Sequence, residues 1–139
     1  MRGIPGCWEV YMSYYFSTAV VEPFDRAVES VTEELKKEGF GILTRIDVKA
    51  TLEQKLGVEF PEYCILGACN PPFAHKALLA EPRIGLMLPC NVIVRRLDGG
   101  RVEVAAIDPK ASMAAVENEE LSGIADEVRA KLRRVVGNL

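Results

Sequence analysis

The sequence predicts an α+β domain: a single, mainly antiparallel five-stranded sheet with two long helices on one face. Three observations predict it. The elements read strand, long helix, strand, short helix, strand, short helix, two hairpinned strands, long helix. Each long helix carries one apolar stripe, so each covers a sheet rather than being surrounded. Asp98-Gly99 supplies the positive φ that a tight hairpin needs between the last two strands. The other sheet face is then either solvated or used in a dimer, and Tyr15 is well placed for such a contact. A doubly wound α/β fold is the competing arrangement.

Met12 to Val21 reads as the first strand, with Met12, Tyr14, Phe16, Thr18 and Val20 on one face. Pro23 to Glu38 reads as a helix. Pro23 suits its first position, where a missing N–H is harmless. Phe24, Ala27, Val28, Val31 and Leu35 form its stripe, Glu33 and Lys37 pair at i,i+4, and Gly39 suits a left-handed cap. Gly41 to Val48 is the second strand, with Ile42, Thr44, Ile46 and Val48 on its more apolar face. Thr51 to Gln54 has capping-box spacing and opens a short helix that Gly57 closes.

Tyr63 to Cys69 is apolar on both faces, as in a strand in mid-sheet. A short helix follows from Pro71 to Ala80. The fourth strand lies within Leu86 to Leu97, opened or interrupted by Pro89, and the fifth runs from Arg101 to Ile107. Lys110 to Val116 makes one or two loose helical turns. Asn118 caps the last helix, whose stripe is Leu121, Ile124, Val128, Leu132 and Val135 and which Gly137 stops.

The chain has 139 residues, 49% apolar and 27% charged, and a mass of 15.3 kDa. That is the size and balance of one globular domain. The expected organisation is a flexible extension over 1–12, rich in Gly and Pro, and a single domain over 13–139. Disorder, a collagen-like repeat and a disulfide-dense mini-protein are excluded. The net charge of −3 offers no general attraction to nucleic acid or anionic lipid, and Arg95-Arg96 and Arg133-Arg134 are too short for a nucleic-acid surface. Neither nucleic acid nor a membrane is an expected partner. The first eight residues lack the pattern of a secretory signal, and nowhere are eighteen apolar residues consecutive. The expectation is a cytoplasmic protein with reduced thiols at Cys7, Cys64, Cys69 and Cys90. None of these makes a C-x-x-C pair.

Residues 66–94 are the unusual segment. They hold Cys69-Asn70, Cys90-Asn91, the single histidine His75 between them, and four of the eight prolines. The motifs here and around them are Glu38-Gly39-Phe40-Gly41-Ile42-Leu43-Thr44, Lys55-Leu56-Gly57-Val58, Leu66-Gly67-Ala68-Cys69-Asn70-Pro71-Pro72, Ile84-Gly85-Leu86-Met87-Leu88-Pro89-Cys90-Asn91-Val92 and Ala106-Ile107-Asp108-Pro109. Together they make the chain, from about Tyr14 to Val136, resemble the bacterial and archaeal domain-of-unknown-function family numbered three hundred and two. The resemblance implies a small α+β domain, commonly a homodimer, with no settled activity and some relatives associated with redox or sulfur handling. Cys7 and Cys64 fall outside its motifs.

The residues themselves carry a separate argument. A residue before proline is held extended, so Asn70 has the backbone of an N-cap and its side chain is expected to accept from the Phe73 amide. Pro71 and Pro72 remove two donors, which disfavours a phosphate cradle. Cys69 and Cys90 fit small packed side chains at strand ends. They also fit thiol redox chemistry, a metal or haem iron held with His75, or an organic ligand pocket. His75 among Ala74, Ala77, Leu78 and Leu79 is more readily a packed or surface residue than a ligand. Asp47, Asp108 and Glu81 suit turn acceptors better than acid–base pairs.

The candidate ligand-binding residues are therefore Cys69, Asn70, His75, Cys90 and Asn91. The cofactor is unspecified, and the expected partners are a second copy of the chain and a small molecule. The competing reading is a redox protein using Cys69 and Cys90.

Overall fold

The structure, a computed structural model, describes residues 13–139. The predicted extension, Cys7, Trp8 and the proposed strand start at Met12 lie outside the described residues. Five strands form one sheet in the order β1-β5-β4-β3-β2, every neighbouring pair antiparallel. They are β1 (Tyr15–Val20), β2 (Gly41–Asp47), β3 (Tyr63–Cys69), β4 (Cys90–Arg96) and β5 (Val102–Ile107). The helices are α1 (Phe24–Lys37), α2 (Val48–Leu56), α3 (Pro71–Ala80), α4 (Pro109–Ser112) and α5 (Glu119–Gly137), with a 3-10 helix over Pro82–Met87.

β1 and β2 are the two edges of the sheet, so α1 must cross one face to join them. The residues that make this crossing stable are those of its stripe: Phe24, Ala27, Val28, Val31 and Leu35 are all buried. α5 lies on the same face and buries Leu121, Ile124, Val128, Leu132 and Val135, as its spacing predicts. Both face the inward side of the sheet, where Cys64, Leu66, Ala68, Cys90, Val92, Val94, Val102, Val104 and Ala106 join one core cluster. Fully burying each valine or leucine among them stabilises the fold by about 1.5–3 kcal/mol. Among the described residues no helix is long and apolar enough to cross a membrane.

Helix α5 is tied down by side chains at its start and in its middle. Asn118 accepts from Leu121 N at 3.0 Å as its N-cap, and its Nδ2 donates to the carbonyl of Ala80 at 3.0 Å. One residue thus starts α5 and pins it to the end of α3. Arg129 donates from Nε to both carboxylate oxygens of buried Asp108 at 3.1 Å, which joins α5 to the end of β5.

Several local expectations need correction. Pro23 is the N-cap of α1 rather than its first residue. Lys37 pairs with Glu34 at 2.9 Å, not with Glu33, because the i,i+3 carboxylate is the nearer. Asp47, not Thr51, caps α2: its side chain accepts from Ala50 N at 2.9 Å, while Thr51 Oγ1 donates to the Asp47 carbonyl. Val48 consequently belongs to that helix and not to the strand. The single-faced alternation expected for β2 fails at Leu43, where the register slips. Ile42 opposes Ala68 on the inward side, but Thr44 opposes Gly67 and Ile46 opposes Ile65 on the outward side. An extra unpaired residue in an edge strand reverses every side chain after it. The helical turn after β5 is confined to Pro109–Ser112.

Candidate functional site

β3 and the start of β4 lie side by side, with Ala68 opposite Cys90. Beyond Ala68 the chain passes through Cys69 and the extended residue Asn70 into α3, whose first residues are Pro71 and Pro72. This places Cys69, Asn70 and Cys90 around one cavity of about 310 Å3 at the end of the sheet. Phe73 and Ala77 of α3, Leu88 and Pro89 ahead of β4, Met113 just after α4, and Ala125 and Val128 of α5 complete most of its wall. The wall is almost wholly apolar, and among the described residues no charged side chain lines it. Leu43 and Leu78 also line it and are themselves exposed, so its opening is apolar as well.

The polar groups at the rim are held in distinct ways. Asn70 is buried but does not cap α3. Its Nδ2 donates instead to the carbonyl of Glu38 at 3.1 Å. That carbonyl lies at the end of α1, where orphan acceptors need partners. Gly39 leaves room for the contact: its φ is +89°, and a Cβ there would stand 3.1 Å from Asn70 Nδ2. Cys90 is buried, and burial, with neighbouring Cys69 as a smaller cause, pushes its thiol up to about 11. It is therefore a neutral thiol at physiological pH. Cys69 is half-buried.

Two of the five sequence candidates do not join this cavity. Asn91 is exposed and lines a separate, open hollow of about 500 Å3 on the outward face of the sheet. Successive side chains of a strand point to opposite faces, so an inward Cys90 requires an outward Asn91. His75 is exposed on α3 and does not line the cavity. Among the described residues no group of three His, Cys, Asp or Glu side chains is gathered as a metal would need, so Cys69, Cys90 and His75 do not form a ligand set. Cys64 sits buried at the far end of β3, opposite Val94, its thiol pushed up chiefly by burial.

The carboxylates serve the backbone, as turn acceptors do. Asp47 accepts from Ala50 N, Asp108 from Lys110 N at 3.0 Å and Glu81 from Arg83 N at 3.0 Å. The cavity residues that sequence reasoning missed include Phe73, Met113, Ala125 and Val128. Their only sequence signal is apolarity, which does not separate a cavity wall from a filled core.

Comparison with known proteins agrees with this architecture. Residues 16–139 match a family described as "Domain of unknown function DUF302". Among solved structures the chain is similar to an uncharacterized conserved protein DUF302 from Bacillus stearothermophilus, with a TM-score of 0.83 and 26% sequence identity. The likeness covers 90% of this chain and 97% of that one. No curated protein matches the chain.

Proposed function

The chain belongs to the DUF302 family, whose domains have no assigned function, and we propose that it is a binding domain that takes a small apolar ligand between Cys69 and Cys90. The observation that carries this reading is the nearly polar-free wall of the 310 Å3 cavity. Ligand cavities span about 300–1,000 Å3, so this one suits a compact molecule. Apolar surface buried there is worth about 25 cal/mol per Å2. The neutral Cys90 thiol adds no charge that would oppose an apolar guest.

Thermal unfolding in a series of neutral alcohols from 1-hexanol to 1-decanol tests it. A ligand of the native state raises the midpoint. The expected result is a rise with at least one alcohol that disappears in Ala125→Phe, a substitution aimed into the cavity. No rise across the series would overturn the reading.

A second reading, a thiol pair using Cys69 and Cys90, is favoured by their sharing one cavity. Against it stands the Cys90 thiol at about 11, a poor source of thiolate. Incubation with oxidised glutathione and intact mass measurement separates the two readings, because an internal bridge removes two hydrogens and leaves no adduct.

The outward face of the sheet supports a self-association reading. Tyr15, Ile46, Ile65 and Ile93 lie on it, partly exposed and outside the core cluster that α1 and α5 cover. We propose that a second copy of the chain covers it. Sedimentation is expected to give about twice 15.3 kDa, and Ile93→Asp to return the mass to that of one chain. A wild-type mass near 15.3 kDa across micromolar concentrations would remove the dimer.

A further inference from the structure

Resting on the binding reading of the cavity, we infer that its ligand is an amphiphile with an anionic head, the apolar part inside and the head outside beside Lys76. Phe73 is the residue that connects the two regions. It walls the cavity, yet it is only partly buried. Two ammonium groups stand beside its ring: Lys76 Nζ at 5.6 Å and Lys131 Nζ at 5.8 Å from the centroid. Such placement holds cations at an aromatic face.

The two lysines differ in their commitments. Lys131 Nζ lies 3.9 Å from Glu38 Oε1, a carboxylate that also receives Arg134 Nη2 at 2.9 Å. Lys76 is exposed, and among the described residues it makes no ion pair. The interior offers no charged partner, so an ionised group on the ligand must stay at the opening. On the Phe73 side of the cavity the groups nearest the ring are the ammonium groups of Lys76 and Lys131, and of the two only Lys131 is paired with a carboxylate. A neutral hydrocarbon would use the walls but not Lys76. A cationic amphiphile would be repelled there.

Three probes with the same eight-carbon chain and different heads test this by calorimetry at low ionic strength: octanoate, 1-octanol and octylammonium. Octanoate is expected to bind at least about tenfold more tightly than octylammonium. Lys76→Ala is expected to weaken octanoate by about two- to fivefold, the range of an exposed ion pair, while leaving 1-octanol unchanged. Raising the salt should shrink the octanoate advantage, because exposed charges are screened. Octylammonium binding as tightly as octanoate, or octanoate indifferent to Lys76→Ala, would overturn the anionic-head inference while 1-octanol binding kept the cavity reading intact. Failure of all three probes would overturn both.

Discussion

Asn70 Nδ2 donates across 3.1 Å to the backbone carbonyl of Glu38, thirty-two residues earlier, so the end of β3 is tied to the end of α1. Removing this donor leaves a carbonyl at a helix end without its partner. Asn70→Ala and Asn70→Asp are each expected to cost about 1–3 kcal/mol. Asn70→Asp is the more costly, because it sets a carboxylate against a carbonyl oxygen. Urea unfolding midpoints at constant m-value measure both.

Gly67 gives a second, steric prediction. A Cβ there would lie 2.3 Å from Thr44 Oγ1 and 2.8 Å from Pro89 Cγ. Gly67→Ala is expected to destabilise by about 1–3 kcal/mol through overpacking. Adding Thr44→Ala should recover only part of this, since the Pro89 ring remains. Full recovery in the double variant would show that the proline contact is unimportant.

Glu38 predicts an acid-side dependence. The hydrogen bond from Arg134, with the charges of Arg134 and Lys131 behind it, holds the Glu38 carboxyl below its ordinary 4.5, against the opposing effect of burial. A depressed carboxylate contributes stability that is complete above the unfolded value and is lost as pH falls through the folded one. The melting midpoint of the wild type should therefore drop more steeply below pH 4.5 than that of Glu38→Gln. Parallel curves would show that the pair contributes nothing, as many surface pairs do.

The thiols predict an order of alkylation. Cys90 is raised to about 11 and Cys64 is raised by burial. At pH 8 the Cys90 thiolate fraction is then about one in a thousand. Iodoacetamide followed by peptide mapping should label half-buried Cys69 well before Cys64 and Cys90. Equal labelling of Cys69 and Cys90 would contradict the buried, neutral state assigned to Cys90.

Much of the fold was legible because its signals are local. The bounds of β3 and α3, the Asn118 cap and both helix stripes follow from alternation, capping chemistry and 3.6-residue spacing within one segment. β2 resisted because its slip at Leu43 depends on how an edge strand meets β3, not on its own residues. Asn70 resisted for a related reason. Its backbone is extended before Pro71, as the sequence predicts, but its side chain has a competing partner at Glu38 that only packing brings near.

The candidate site divides along the same line. By itself the sequence determined one sheet under two one-sided helices, and it singled out the proline-rich stretch bearing Cys69 and Cys90. Only the tertiary structure decided which members of that stretch meet. Cys69, Asn70 and Cys90 border one apolar cavity, while Asn91 faces the opposite side of the sheet and His75 faces solvent. The physical reason is that a side chain's direction follows from strand pleat and helix phase once the register is set. The register is set by pairings between segments far apart in the chain.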